Sequence, residues 1–391
     1  MPQIADRIRN LPPYIFATIS QQKRQLASDG ADIISMDAGS PDLPPPDSVI
    51  DALAHSARNP QHHGYAGYSG TPGFRAAVAR HYAQRFHTEM DPDTEILPLL
   101  GSKEAVIYFS LAYLNAGDIA LVPSVGYPSY SMGARIAGAT VHYLPSSAET
   151  GYLPDLSSLS AELAQKARIL WLNYPNNPTG AIANVDDYQP IVDFCLKHDI
   201  LLLSDNPYYD ITYDRNQGIS IFEVPRARPI AVELMSLSKT YNMAGWRLGA
   251  ALGDAPYIKA LLNLKSNVDS GHFRPVYDAG IEALDHTTRS WIEARNAIYE
   301  RRRDLLVSLL PAAGLQAEPP GGAMYVWARV LQGDGADYAR GALQHAHVSI
   351  APGGTYGPDG EDYVRFSLVN PEPRIQEALD RLRRWQEIRS R

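Results

Sequence analysis

The chain has 391 residues, of which 45% are hydrophobic and 20% charged, enough for two or three domain-sized units with substantial cores. Its formal net charge of -8, with no basic block, argues against nucleic acid or an anionic membrane as a partner. One cysteine, Cys195, excludes an internal disulfide and suits a reducing compartment. No apolar run approaches the roughly 18 residues of a membrane span, and Arg7 and Arg9 precede Pro12-Pro13 with no leader-like apolar core, so a cytoplasmic protein is expected.

Ile4, Ile8 and Leu11 fall at helical spacing in an N-terminal arm, and after Pro12-Pro13 the pattern predicts a helix from Ile15 to Ser28. The segment Asp37-Ala38-Gly39-Ser40-Pro41-Asp42-Leu43-Pro44-Pro45-Pro46 reads as a stiff loop whose backbone can approach a ligand at Gly39, or as a plain linker. A helix is expected over 49–57. From His63 to Arg75, glycines and aromatic residues predict a mobile, exposed loop with its rings on show. His62 and His63 lack a carboxylate or cysteine at ligand spacing, which favours a surface role over a metal site.

From about residue 95, strand and helix alternate. Strands are expected at 96–100, 119–122, 140–144, 169–172, 200–203 and 230–235, with helices over 104–114 and 186–198 between them. This rhythm implies a mostly parallel mixed sheet covered by helices, in which the loops at the carboxyl ends of the strands converge on one crevice. The turns carrying Ser102, Tyr127, Asn177, Asp205 and Lys239 all follow apolar strands, so they can share one site. The start of the helix at Ser102-Lys103 suits an anion. Asp205, just past a buried strand, calls for a cationic partner. Beyond Leu252 the sequence turns helical, at 257–265, 275–284 and 289–310. It ends in a smaller α+β unit with alternating stretches at 322–327 and 363–368.

The segment from Ser236 to Gly249 concentrates the chemistry. Lys239 at a strand end can act as a neutral, nucleophilic amine that forms a Schiff base with a carbonyl. Ser236, Ser238 and Arg247 around it form a donor set suited to a phosphate dianion. These are the parts that pyridoxal phosphate (PLP) needs, an aldehyde partner and a phosphate grip. Taken alone, the segment fits equally well a surface lysine with Arg247 in an ordinary ion pair.

Read together, Gly39 in G-x-P-D, Tyr65 in Y-x-x-x-x-G, G-S-K at 101–103, G-Y-P around Tyr127, N-N-P-T-G from Asn176, D-x-x-Y from Asp205, S-x-S-K with Arg247 eight residues on, and Y-V-R-x-S around Arg365 resemble the PLP-dependent class I/II aminotransferases of fold type I. The likeness is collinear over nearly the whole chain. GSKEAV, NYPNNPTG, SLSKTYNMAGWRLG and KSNVDSG are most similar to LL-diaminopimelate aminotransferase-like enzymes, while His272 and Arg274 depart from that branch.

The resemblance implies roles. Lys239 would hold PLP and serve as the catalytic base, Asp205 would keep the pyridine nitrogen protonated, Tyr208 and Asn177 would bind the ring hydroxylate, and Tyr127 would stack on the ring. Ser102, Lys103, Ser236, Ser238 and Arg247 would hold the phosphate, with Tyr65 from a second subunit, which implies a homodimer with shared sites. Arg365 would grip the substrate α-carboxylate with Gly39 and Asn177. Tyr14 and Asn267, with Asp269 and Ser270, would line the distal end of the substrate, although the latter three read equally well as a solvated loop. No metal is expected. The expected division is 1–45 as the arm and part of the small domain, 46–270 as the large PLP-binding domain and 271–391 as the small domain.

The implied reaction moves the amino group of an L-amino acid, with LL-diaminopimelate and glutamate among the candidates, to a 2-oxo acid such as 2-oxoglutarate. A lyase, cyclase or oxidase sharing the same early steps is the alternative. A DNA-binding regulator is disfavoured by acidity and by the short stretch before Gly39.

Overall fold

The computed structural model of the chain describes residues 2–9, 11–12 and 15–389. Its larger unit is built on seven strands: β1 (Ile96–Leu99), β2 (Ile119–Pro123), β3 (Thr140–Leu144), β4 (Ala167–Leu172), β5 (Leu201–Asp205), β6 (Ala231–Ser236) and β7 (Gly249–Gly253). Their spatial order is β1-β7-β6-β5-β4-β2-β3. All neighbours are parallel except β7, which runs antiparallel to both β1 and β6.

The apolar strands are covered on both faces, and the pleat divides their side chains. Ile169, Trp171, Leu201 and Leu203 pack with helices Ser102–Tyr113 and Ser129–Ala137, whereas Leu170, Leu172 and Leu202 pack with Ile191, Val192 and Cys195 of helix Val185–His198. The sequence reading missed β7. Its residues, Gly-Ala-Ala-Leu-Gly, have little strand preference, but no side chain fits at its two ends. A Cβ on Gly253 would lie 2.9 Å from Val232 Cγ2, and one on Gly249 2.5 Å from the Met235 carbonyl.

Two further expectations are corrected by packing. The stretch expected to be a loop up to Arg75 ends earlier, because helix Pro72–Phe86 starts inside it with Thr71 as its N-cap and Phe74 fully buried. Helix Arg274–His286 places Tyr277, Ala279 and Ala283 in one cluster with Phe74, Val78, Met235 and Leu252. It therefore packs with the larger unit, although 271–391 was expected to be the smaller one.

The smaller unit has a four-stranded antiparallel sheet, Ala351–Pro352, Tyr363–Ser367, Tyr325–Val330 and Leu315–Gln316 in spatial order, backed by helices Arg289–Leu309 and Glu372–Arg389. Ile34–Ser35 pairs in parallel with Val348–Ser349, which brings the N-terminal segment into this core. The two units are tied by buried Arg295. Its guanidinium donates to the main-chain carbonyls of Lys239 and Thr240 and, at 2.9 Å, to that of Asp210. Among the described residues, no helix is long and apolar enough to cross a membrane.

Glu233 on β6 is fully buried, accepting from Tyr82 Oη at 2.7 Å and Ile221 N–H at 2.8 Å. Burial outweighs these donors and raises its carboxyl to about 7. Because the folded value exceeds the unfolded one, the bound proton stabilises the fold fully below the ordinary carboxylate range. That contribution, on the order of 3 kcal/mol, is lost as pH rises through about 7. Glu233→Gln is expected to flatten the decline of thermal stability between pH 5 and 8, as read from Tm against pH by calorimetry. A wild-type slope retained in this variant counts against the assignment.

Candidate active site

The carboxyl ends of the strands open into a cleft of about 470 Å³ whose walls include Gly39, Ser102, Lys103, Tyr127, Asn177, Asp205, Tyr208, Ser236, Ser238, Lys239, Arg247 and Arg365. Twelve of the residues singled out from the sequence thus meet in one place. Others lie away from it: Tyr65 is 91% exposed, and Asn267 is exposed with its amide donating to the Asn263 carbonyl at 2.8 Å. Tyr14, also expected there, lies outside the described residues. Asp269, expected near the substrate, pairs instead with buried Lys265 at 2.8 Å, as does Glu104 at 2.6 Å.

β5 ends on Asp205, which is 4% exposed. Its Oδ2 accepts from Tyr130 Oη at 2.9 Å, and among the described residues nothing donates to buried Oδ1 in hydrogen-bond geometry. Tyr130 is held flat against Trp171, ring centroids 4.8 Å apart and planes 6° from parallel. Burial raises the Asp205 carboxyl to about 6, while the Tyr130 and then the nearby Ser102 hydroxyls lower it.

β6 runs into the single turn Leu237–Thr240, capped by Ser236 Oγ accepting from Ser238 N–H at 3.2 Å. Lys239 on that turn reaches the cleft and donates to the Gly39 carbonyl. Burial, and to a lesser degree the neighbouring Arg365 and Arg247 charges, lower its ammonium from the ordinary lysine range, against the opposing effect of Tyr325.

On one side of Lys239 stands a cup for an anion. Helix Ser102–Tyr113 begins there, Ser238 Oγ is buried without a partner, and the Arg247 guanidinium lies so close to Gly101 that a Cβ would collide with it. Gly101, at φ 81°, is both the helix N-cap and this point of close approach. His272, a departure noted in the sequence, is hydrogen-bonded through Nε2 to the Arg247 carbonyl at 2.6 Å.

On the other side Arg365, 4% exposed, donates to Asn177 Oδ1 at 3.0 Å and to the Asp37 carbonyl at 2.8 Å, with its Nε buried and unpartnered. The guanidinium lies over the Tyr325 ring at 4.0 Å, and Tyr325 Oη is 3.1 Å from Tyr208 Oη. Sequence reasoning missed Tyr130 and Tyr325. Tyr130 lies in the first turn of helix Ser129–Ala137 with its ring edge-on to Tyr127 at 5.7 Å, and Tyr325 sits on the alternating strand that pairs with Arg365's strand.

This fold and cleft, with an amine and a carboxylate at the ends of adjacent parallel strands, an anion cup and a buried arginine fork, are those of the fold type I PLP enzymes. Residues 31–382 match the family described as aminotransferase class I and II. An LL-diaminopimelate aminotransferase of Moorella thermoacetica is 43% identical over 383 residues, 98% of each chain. A substrate-bound BacF structure from Bacillus subtilis superposes with a TM-score of 0.94 at 33% identity, covering 98% of both chains. Aspartate aminotransferase of Thermus thermophilus with maleate gives a TM-score of 0.91 at 28% identity, over 98% of this chain and 100% of that one. The chain belongs to the class I and II aminotransferases and is an aminotransferase, and its family implies the use of PLP.

Tyr130→Phe tests the Asp205 environment without any cofactor. Removing a donor to a buried carboxylate costs about 1–3 kcal/mol. Because the folded Asp205 carboxyl sits at about 6, the loss should be larger at pH 8, where it is ionised, than at pH 5. Denaturant unfolding at the two pH values measures it, and equal losses at both contradict the pairing.

Proposed function

We propose that the chain binds PLP in this cleft and transfers the α-amino group of LL-diaminopimelate to a 2-oxo acid such as 2-oxoglutarate. The observation that carries the cofactor reading is the orphaned Asp205 Oδ1, a buried acceptor on the same cleft wall as Lys239. A protonated ring nitrogen would satisfy it, a phosphate would satisfy the unpartnered Ser238 Oγ, and a substrate carboxylate would satisfy Arg365 Nε. The substrate reading rests on relatives that carry that substrate in their name over nearly the full chain.

When bound, PLP supplies an aldehyde to capture the amino group and a ring that accepts electrons from the substrate α-carbon. The protein residues supply the rest. Asp205, ionised, holds a positive charge at the ring nitrogen. Lys239 Nζ would move the proton between the substrate α-carbon and the cofactor carbon that takes up the amino group, a role its lowered basicity favours. Arg365 orients the α-carboxylate with Asn177 and the Gly39 backbone. Ser102, Lys103, Ser236, Ser238 and Arg247 would hold the phosphate, Tyr208 and Asn177 would hold the ring hydroxylate, and Tyr127 would stack on the ring.

Exposed Tyr65 completes the phosphate site of a second copy in this reading. Tyr65, Tyr68, Val268 and Phe273 are all exposed, and the His63 and Phe273 rings are 5.4 Å apart, so the two loops form one apolar patch suited to a homodimer interface. The buried thiol of Cys195 suits the cytoplasm.

The purified chain with PLP should convert 2-oxoglutarate to glutamate when offered LL-diaminopimelate, as followed by chromatography. Release of ammonia or peroxide with no 2-oxo acid required would overturn amino transfer. Lys239→Ala should lower turnover about 10²–10⁴-fold. Asp205→Asn should keep PLP weakly and lower turnover about 10²–10³-fold. Arg365→Ala should raise KM and lower kcat/KM by roughly 10²-fold, as befits the loss of a buried charged contact of about 2–5 kcal/mol. Sedimentation should give twice the chain mass of 43.0 kDa, and Tyr65→Phe should weaken PLP binding in equilibrium titration. A monomer with undiminished PLP affinity in that variant contradicts the shared site.

A further inference from the structure

Helix Ile15–Ser28 lies along the cleft and turns Phe16, Ser20 and Lys23 into it, positions four and three residues apart on one helical face. Lys23 Nζ is 3.0 Å from Asp37 Oδ1 and 3.3 Å from Oδ2, with side-chain exposures of 23% and 8%. Asp37 is the residue whose carbonyl anchors Arg365, so the ion pair borders the grip assigned to the α-carboxylate.

Burying an ion pair carries a desolvation cost, and apolar side chains could seat the helix on the cleft without it. The pair is not saturated. A lysine ammonium has three N–H donors, and among the described residues the two Asp37 oxygens are the acceptors for this one; a carboxylate has about four acceptor sites, and Lys23 occupies two. A wall that offers a cation and an anion side by side, with unused donors and acceptors on both, is complementary to a ligand end that carries both charges.

We propose that Lys23 and Asp37 form the distal specificity site, Lys23 taking the far carboxylate of the donor and Asp37 its far ammonium. This rests on the reading of the cleft as an aminotransferase site for a diamino dicarboxylic acid and gives that reading its recognition residues. A donor with only a far carboxylate meets Lys23 but also the Asp37 charge, and a donor with only a far ammonium meets the reverse. The zwitterionic end satisfies both.

The test compares kcat/KM for four donors on the PLP-loaded enzyme and on Lys23→Gln and Asp37→Asn. The donors are LL-diaminopimelate, L-2-aminopimelate without the far ammonium, L-lysine without the far carboxylate, and L-norleucine without either. Relative to norleucine, Lys23→Gln should lower diaminopimelate and aminopimelate by about tenfold or more and spare lysine. Asp37→Asn should lower diaminopimelate and lysine and spare aminopimelate. In a binding measurement that needs no turnover, heptanedioate should lose about tenfold in affinity in Lys23→Gln relative to hexanoate. Losses shared equally by all four donors, or ratios unmoved in both variants, overturn the proposal and leave the pair a structural link between helix and loop. If the wild-type enzyme turns over none of the donors, the proposed function fails, and the heptanedioate affinities still decide the role of Lys23.

Discussion

A carboxylate held nearly dry at the end of a parallel strand is the constraint around which this cleft is built. Asp205 keeps one oxygen on the Tyr130 hydroxyl and leaves the other without a donor, a state that is costly in a folded chain unless a ligand supplies the missing hydrogen bond. Tyr130 can serve only because Trp171 on the adjacent strand fixes its ring. One strand over, Lys239 shares the same low-dielectric pocket, and the burial that raises the aspartate lowers the lysine. The two shifts pull toward neutral forms, and a cationic ring beside Asp205 reverses the first while leaving the second useful.

The rest of the molecule supports that geometry from both units. Arg295 reaches from the smaller unit to the carbonyls of Lys239, Thr240 and Asp210, gripping the segments that carry Lys239 and Tyr208 with one guanidinium. Arg365 and Tyr325 come from neighbouring strands of that same unit, and Gly39 comes from the N-terminal segment paired into it. A Cβ at residue 39 would stand 3.3 Å from Tyr325 Oη, so a glycine there keeps the backbone close to the site. The active centre is therefore a seam between two cores, and its charge balance depends on both being in place.

Much of this was legible in the sequence, and the exceptions have physical causes. The apolar strands declared themselves, and because parallel strands deliver their loops to one edge, Ser102, Tyr127, Asn177, Asp205 and Lys239 could be brought together before any coordinates. β7 was not legible, since its glycines and alanines have no strand signature and its two glycines are there because a Cβ would not fit. What the sequence did not show is that a tyrosine 75 residues away in the chain supplies a hydroxyl to one oxygen of Asp205. Lys23 and Asp37 carried no signal of their own in the sequence, because only the tertiary fold lays the one over the other. Tyr65 and Asn267 were drawn toward the site by family likeness, and within one chain neither reaches it.

The central claim is that Lys239, and no other amine in the cleft, joins the cofactor aldehyde. Reduction with borohydride in the presence of PLP, followed by proteolysis and mass spectrometry, reads this directly. The account predicts one pyridoxyl group per chain, on the peptide that contains Lys239. A stable label on Lys103 or Lys23 instead, or no label at saturating PLP, would contradict it.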